Sequence, residues 1–193
     1  MIRIANESDV PAILAIYAPY ILTSTATFEY TVPTETEFLE RFRRITAQFP
    51  WLVWEEEGEI LGYAYASAPY ERAAFSWCAE PSVYLKPEAR GRGIAKKLYA
   101  ALEVILDMQG YQVLYALITA ENKASLRFHE KQGYTHCVLF PDCGYKFGRW
   151  LGLIWMEKRC KSVESPSNLP TPWAVLMQNT QRIFDILDNL SLS

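Results

Sequence analysis

The chain has 193 residues, of which 50% are hydrophobic and 14% aromatic, a composition typical of a folded globular protein and not of a disordered one. Its formal net charge is −3 and no basic stripe runs along it, so nucleic acid is not expected as a partner. No apolar run reaches the roughly 18 residues that a membrane span requires, and charged residues interrupt the N-terminal segment, so neither a membrane span nor an export signal is expected.

The cysteines and histidines give no pattern of a metal site. Four cysteines are scattered without a Cys-x-x-Cys pair, and the chain has only two histidines. This spacing predicts neither a zinc site nor a disulfide framework. We therefore expect no bound metal, reduced thiols and a cytoplasmic location.

The first half of the chain alternates between strand and helix patterns. Thr34-Glu35-Thr36-Glu37 matches a capping box, which marks a helix start. In chain order the patterns predict a strand at 2–4, a helix from Ser8 or Asp9 to about 22, a loop at 23–31 with a short strand around Phe28, a helix from 34 to just before Pro50, and strands at 52–55, 60–66 and 77–85.

The second half continues the alternation and ends in an appendage. It predicts a helix at 93–108, a buried strand at 113–118, a helix at 123–132, and strands at 134–139 and 151–157 joined by a loop at 140–150. This order predicts one mixed α/β domain over residues 1–160. Residues 161–193 then comprise a Ser-, Pro- and Asn-rich linker and an amphipathic helix at 173–190, which is expected to pack on the domain or on a second subunit.

The most informative stretch, residues 83–98, reads as an apolar strand, a glycine-rich turn and the start of a helix. Gly91 and Gly93 permit backbone angles that other residues avoid, so successive N–H groups can point at one anion. The helix start and the neighbouring basic side chains add positive charge. The stretch predicts a phosphate site, although a basic turn that caps a surface helix shares these features.

Three phosphate-binding motifs compete for this turn. A Walker loop needs Gly-Lys-Ser/Thr, and the order Gly91-Arg92-Gly93-Ile94 excludes it. A dinucleotide fingerprint needs a small residue where Lys96 stands and an acidic residue about twenty positions later, inside an apolar strand, so it fits poorly. The third motif, Arg/Gln-x-x-Gly-x-Gly/Ala, is matched by residues 90–95.

This third motif resembles the pyrophosphate loop of the GNAT family of N-acetyltransferases. A second segment, from Asn122 through Phe128-His129-Glu130 to Gly133-Tyr134, resembles the family's Asn-x-x-Ala/Ser…Phe-Tyr-x-x-x-Gly-Phe. The resemblance covers about residues 1–158. It implies the GNAT fold, a mostly antiparallel twisted sheet with one splayed strand pair and helices on both faces, and acetyl-CoA as cosubstrate. The implied cofactor-binding residues are Val83, Leu85, Arg90, Gly91, Arg92, Gly93, Ile94, Ala95, Asn122 and Ser125.

Acetyl transfer to an amine needs a group that takes the amine's proton. Glu80 precedes the glycine turn on its strand, where from position alone it is also a typical surface glutamate. The strand resembles that of the phosphinothricin and methionine sulfoximine acetyltransferases, which implies that Glu80 is the catalytic base, although Pro81-Ser82 replaces Ser-Thr. His129 stands where many members have the acid that protonates the thiolate. It is implied as a catalytic acid or a support, with a structural helix histidine as the alternative.

The acceptor residues are implied by the same resemblance. They are Arg72, whose fork suits a carboxylate, with Phe75 beside it, Phe28 and Glu29 in the loop between the first two helices, and Lys146 and Phe147 in the late loop. The segment from Gly144 to Trp150 resembles the branch's Gly-Phe/Tyr-Lys-x-Gly-x-Trp, but Phe147 replaces the histidine of herbicide-resistance members. This departure favours methionine sulfoximine, methionine sulfone or a similar small amino acid over phosphinothricin.

These residues predict an acetyl-CoA-dependent N-acetyltransferase that acts by direct attack of a small amine, and the resemblance suggests a homodimer. Three alternatives stay open. The acceptor is a peptide N-terminus, an aminoglycoside or a polyamine; or the acetyl group passes through Cys78; or the chain is a non-catalytic acyl-CoA sensor that binds a partner through its C-terminal helix.

Overall fold

A seven-stranded sheet forms the centre of the computed structural model, which describes residues 1–160, 168–178 and 181–192. The strands are β1 (Ile2–Ile4), β2 (Trp51–Glu56), β3 (Glu59–Ser67), β4 (Cys78–Leu85), β5 (Val113–Thr119), β6 (Thr135–Lys146) and β7 (Arg149–Arg159). Their order is β1-β2-β3-β4-β5-β7-β6. Neighbouring strands run antiparallel except β4 and β5, which are parallel. The predicted mostly antiparallel mixed sheet is confirmed.

The helices are α1 (Val10–Thr23), α2 (Glu35–Thr46), α3 (Ile94–Gln109), α4 (Lys123–Lys131), α5 (Trp173–Leu176) and α6 (Gln181–Leu192). The predicted capping box at α2 is present: the Thr34 hydroxyl accepts the Glu37 N–H at 3.3 Å, and the Glu37 carboxylate accepts the Thr34 N–H at 2.8 Å. Two orphan N–H groups at the helix start are thereby satisfied. In the described ranges, none of the helices has the length and apolarity needed to cross a bilayer.

Helices cover both faces of the sheet, as predicted. Successive side chains of a strand point to opposite faces, and the buried residues of β2 and β3 divide accordingly. Trp51 and Tyr63 pack with α1 and α2, whereas Leu52 and Ala64 pack with α3. Each amphipathic helix therefore buries its apolar side on one face of the same sheet.

The sheet opens between β4 and β5. These strands pair at Cys78–Val113 and Ala79–Leu114 and then diverge, which confirms the predicted splayed pair. The Lys86 N–H donates to the Leu61 carbonyl of β3. Because ladder bonds alternate along a strand, the main-chain groups of Val83 and Leu85 face away from β3 and into the gap.

The prediction of a loop at 140–150 was wrong. β6 and β7 continue through it as one long hairpin that turns at Phe147-Gly148, where both residues have positive φ. Two register shifts in β6 absorb its irregular residues, among them Pro141 and Asp142, the latter with a φ of 50°. β6 is an edge strand, and an edge tolerates proline and bulges because one side of its ladder has no partner strand.

The predicted short strand around Phe28 was also wrong, because residues 24–34 form neither strand nor helix. Their main chain is bonded by a side chain instead: the Lys146 ammonium donates to the carbonyls of Ser24 and Thr27, at 2.8 and 2.7 Å. These bonds satisfy backbone acceptors that a strand would have paired.

The C-terminal residues pack on the sheet domain. The predicted single helix at 173–190 is two helices, α5 and α6, and residues 179–180 between them lie outside the described part, as do residues 161–167 of the predicted linker. Ile183 and Leu187 of α6 are fully buried in the core that contains α3 and β1. Ser191 adds a polar link, because its hydroxyl accepts the Ile2 N–H at 2.8 Å.

Candidate active site

A cleft of about 790 Å³ fills the gap between β4 and β5. It is lined by β4, the glycine turn, β5 and the start of α4, and the end of α1 forms one wall. Nine of the residues predicted for catalysis or cofactor binding line it: Glu80, Val83, Leu85, Arg90, Gly91, Ala95, Asn122, Ser125 and His129. The structure thus gathers residues from two separate sequence segments into one site.

The glycine turn has the geometry of an anion site. Gly91 and Gly93 have φ values of +75° and +81°, and a Cβ at either would meet nothing within 4 Å, so backbone conformation explains their use. Gly93 caps α3, and the Lys97 N–H makes the first helical bond, to the Gly93 carbonyl. The N–H groups of residues 93–96 are therefore left for a ligand, at the positive end of a helix of 16 residues.

Three predicted cofactor residues lie outside the cleft lining. Arg92 forms an ion pair with Glu56 of β2 at 2.7 Å. Gly93 supplies the helix cap, and Ile94 is buried in the core behind it. These residues shape and hold the turn.

At the start of α4, Asn122 has the role of a helix cap. Its side-chain oxygen accepts the Ser125 N–H at 3.1 Å. Both residues line the cleft, so the cap also directs the start of α4 towards the space between the strands.

Glu80 is a largely buried carboxyl group in the cleft. Burial raises its pKa to about 7, because removal from water disfavours the charged form. It stands opposite Ser67 of β3 and on the same face as Ser82 and Tyr84. A carboxyl group that titrates near neutrality suits a general base.

His129 lines the cleft with both ring nitrogens engaged by the protein. Nδ1 lies 2.8 Å from the Ser125 carbonyl, so Nδ1 carries the proton, and Nε2 lies 2.8 Å from the Tyr99 hydroxyl. Burial lowers the pKa of His129 to about 4, so the ring is neutral at pH 7. The Tyr99 hydroxyl also lies 2.9 Å from the carbonyl of Pro81, the residue after Glu80. Because the Tyr99 hydroxyl has one proton, it donates to either Nε2 or the Pro81 carbonyl, and Tyr99 places His129 beside β4.

The four predicted acceptor residues of the α1–α2 loop and the hairpin form one cluster. Phe28 packs directly on Gly144, where a Cβ would come within 2.4 Å of its ring. The Glu29 carboxylate accepts two bonds from Arg41, at 2.7 and 3.3 Å. Lys146 is buried beneath the loop, and its ammonium lies 5.0 Å from the ring centroid of Phe147. The hairpin therefore fixes the loop that flanks the cleft.

Arg72 and Phe75 line a second cavity, of about 570 Å³, and not the cleft itself. The Tyr70 ring links their loop to β7, with centroid distances of 4.4 Å to Phe75 and 5.5 Å to Trp155. The other wall of this cavity is residues 169–172 of the C-terminal segment. The structure keeps this predicted pair apart from the Phe28–Phe147 cluster.

Comparison with known proteins agrees with the shape of the site. Residues 2–155 match the acetyltransferase (GNAT) domain. The chain belongs to the GNAT family. It is 36% identical to the phosphinothricin N-acetyltransferase of Alcaligenes faecalis over 81% of each chain. It is 34% identical to the L-methionine sulfoximine/L-methionine sulfone acetyltransferase of Salmonella typhimurium, over 86% of this chain and 97% of the relative.

A solved GNAT structure gives the same result. The phosphinothricin acetyltransferase of Sinorhizobium meliloti, in complex with acetyl-CoA, superposes with a TM-score of 0.85 at 34% identity, over 91% of this chain and 97% of that one. The protein is an acetyl-CoA-dependent N-acetyltransferase. The open edge of β4, the glycine turn and Arg90 all border the cleft and carry hydrogen-bond donors, the kind of group that binds an anion such as a pyrophosphate.

Sequence reasoning missed Tyr20, which contributes to the acetyltransferase cleft. Its hydroxyl donates to the Leu85 carbonyl at 2.6 Å and accepts the Leu85 N–H at 3.2 Å and an Arg90 N–H at 3.0 Å. The only available signal was its place in the last turn of an amphipathic helix, which equally describes a core residue. Tyr99, in the middle of α3, was missed because a buried position on a helix face equally describes a core residue.

Among the described residues of the acetyltransferase, no group of three His, Cys, Asp or Glu side chains is placed to hold a metal ion. Cys78 is half-buried, and burial raises the pKa of its thiol. A thiol with a raised pKa is a poor nucleophile at neutral pH.

Proposed function

We propose that this enzyme acetylates the α-amino group of a small amino acid analogue of the phosphinothricin, methionine sulfoximine or methionine sulfone type. The observation that carries the proposal is Glu80, a partly buried carboxyl group whose pKa is raised to about 7 by burial, in the same cleft as the glycine turn. The names of the curated relatives supply the acceptor class. The departure at Phe147 favours methionine sulfone and sulfoximine over phosphinothricin.

In the proposed reaction, Glu80 takes a proton from the substrate ammonium, directly or through water. The free amine nitrogen then attacks the acetyl carbon, forming the N–C bond. The C–S bond breaks, the attacking nitrogen loses its second proton, the departing thiolate of coenzyme A takes up one proton to become the thiol, and Glu80 returns its proton to solvent. The residues of the glycine turn hold the pyrophosphate, and Val83 offers its main-chain groups to the pantetheine arm.

For His129 we propose a supporting role. A neutral ring whose Nδ1 and Nε2 are both bonded inside the protein has no proton directed at the cleft. Its bond to Tyr99, which also approaches the Pro81 carbonyl, supports the strand that presents Glu80. On the acceptor side we propose that Phe28, Glu29, Lys146 and Phe147 border the amine site. Arg72 and Phe75 line the separate second cavity, so we do not assign them to this site.

The test is an acceptor profile with acetyl-CoA as donor and coenzyme A thiol release as readout. We expect kcat/KM for L-methionine sulfone and L-methionine sulfoximine to exceed that for a peptide N-terminus, an aminoglycoside and a polyamine by at least about tenfold, the ratio given by one well-placed ion pair or hydrogen bond. A higher value for any of the other three amines would overturn the acceptor assignment. Acetyl-CoA binding with no amine turned over would instead indicate a sensor, and loss of turnover in Cys78→Ala would restore the covalent route.

We also propose a homodimer built on the β6–β7 hairpin. Six large apolar side chains of this hairpin are each 42% to 61% exposed: Val138, Leu139, Phe140, Tyr145, Phe147 and Trp150. β6 is the edge of the sheet, and a long edge strand with apolar side chains is a surface that proteins cover. A second copy would cover it close to Lys146 and Phe147.

The exposed thiols of Cys137 and Cys143 suit a reducing compartment, which supports a cytoplasmic location.

A further inference from the structure

Two tyrosines on the last turns of α1 bond to different parts of the site: Tyr20 bonds to β4 and Arg90, and Tyr17 bonds to the α1–α2 loop. Tyr17 and Tyr20 are three residues apart and so lie on the same helix face. Both rings meet the ring of Tyr84 edge-on, each with a centroid distance of 5.0 Å. Tyr84 is on β4, the strand that carries Glu80. The rings that carry the two hydroxyl groups thus pack on the same residue, Tyr84 of β4.

The Tyr20 hydroxyl faces the donor side and has no hydrogen-bonding capacity left. A phenol has one proton and two lone pairs. The proton goes to the Leu85 carbonyl, and the lone pairs accept the Leu85 and Arg90 N–H groups. The Arg90 guanidinium also lies 5.3 Å from the Tyr20 ring centroid, within cation–π distance. Tyr20 therefore fixes Arg90 of the glycine turn against the open edge of β4.

The Tyr17 hydroxyl faces the acceptor side. It donates to the Glu29 carboxylate at 3.1 Å, and since its proton is used there, the Thr27 hydroxyl at 2.9 Å must be a donor to it. Thr27 in turn accepts the Glu29 N–H at 3.3 Å. Arg41 of α2 completes the network by its bond to Glu29 at 2.7 Å. Tyr17 therefore fixes the α1–α2 loop.

We propose that Tyr17 and Tyr20 are paired positioning residues: Tyr20 orders the acetyl-CoA side of the cleft and Tyr17 orders the acceptor side. The division between donor and acceptor sides rests on the proposed function. Because both rings share Tyr84, the α1 turn sets the two sides at a fixed distance from each other and from Glu80.

The test compares Tyr20→Phe with Tyr17→Phe, which remove one hydroxyl each and keep the ring. For Tyr20→Phe we expect the KM for acetyl-CoA to rise about five- to tenfold, the factor for one lost hydrogen bond, with the KM for L-methionine sulfone within about twofold of wild type. For Tyr17→Phe we expect the reverse, and we expect kcat to change less than KM in both. Thr46→Val, which loses a hydroxyl bond to the Phe42 carbonyl within α2 and away from the cleft, is the control that should change neither KM.

Equal changes in both KM values, no change in either, or a loss confined to kcat would overturn the proposal. Thr27→Val removes the partner of Tyr17 without touching the core and replaces Tyr17→Phe if that variant does not fold. Calorimetry of acetyl-CoA binding to wild type and Tyr20→Phe, without any amine, tests the role of Tyr20 separately. A failure of the acceptor assignment would leave that result intact, so the two failures are distinguishable.

Discussion

Glu80 links the stability of the fold to pH. In the unfolded chain its carboxyl group ionises near the ordinary value of 4.5, whereas burial raises its pKa in the folded state to about 7. Between these values the unfolded state loses the proton and the folded state keeps it. The contribution of Glu80 to stability is therefore fully present below about pH 4.5 and is lost as the pH rises through 7.

We predict that Glu80→Gln becomes progressively more stable than wild type across this window. Glutamine cannot ionise, so the difference in unfolding free energy should grow by about 1–3 kcal/mol between pH 4.5 and 7.5 and then level off. Urea unfolding at a series of pH values measures it. Glu88→Gln, at an exposed position, is the matched control and should follow wild type. A difference that stays constant with pH would show that Glu80 is not buried as described.

The role of a residue was predictable from the sequence where a motif requires a particular backbone conformation at that position. Gly91 and Gly93 were expected to adopt special backbone angles, and both have positive φ. The bonds of His129 were not predictable, because they depend on Tyr99, thirty positions away on another helix. A sequence pattern indicates which face a residue lies on, but not which distant hydroxyl group it meets.

The β6–β7 hairpin is the element with the most consequence for assembly. Leu139→Glu or Trp150→Glu should convert a wild-type dimer to a monomer, because a charge buried in an apolar interface carries a large desolvation cost. Light scattering after gel filtration measures the mass. Val104→Glu, at an apolar position on α3 that is 42% exposed, should leave the dimer intact. A wild-type monomer, or a dimer that persists in both hairpin variants, would disprove this interface.

This hairpin is also where prediction from sequence failed. Pro141, Asp142, Gly144 and Gly148 are turn-forming residues, so residues 140–150 resembled a loop. The structure extends the strands because β6 is at the sheet edge, where bulges accommodate such residues. Edge position depends on the order of strands in the sheet and cannot be read from local composition. The buried strands β2, β3 and β5, by contrast, were located correctly from their apolar runs.

At the scale of the whole molecule, α6 is part of the core although the family match ends at residue 155. We predict that Leu187→Ala, at a residue 2% exposed, lowers the unfolding free energy by about 2–4 kcal/mol, the cost of a buried leucine truncation. Phe184→Ala, on the same helix but 45% exposed, should cost less than about 1 kcal/mol. Denaturant unfolding compares them. Equal small losses would mean that α6 does not pack on the domain in solution.

The sequence indicated which side of the C-terminal helix is apolar but not what that side contacts. An amphipathic helix fits any apolar surface, so a second subunit was as good a partner as the domain. The pairing of Ile183 and Leu187 with the core of α3 decides this within one chain. The sheet order was easier to predict because helix and strand patterns alternate in the order typical of the family.

Glu80 is the proposed base for acetyl transfer from acetyl-CoA to a small amino acid. The most direct test is the pH profile of kcat/KM for L-methionine sulfone in wild type and Glu80→Gln, since this parameter reports the free enzyme. We predict that kcat/KM of the wild type rises with pH with an apparent pKa of about 7. In Glu80→Gln we predict that kcat/KM is at least about 100-fold lower and no longer rises near pH 7. Calorimetry should show unchanged acetyl-CoA binding in this variant. A variant that keeps both the rate and the rise near pH 7 would contradict the claim.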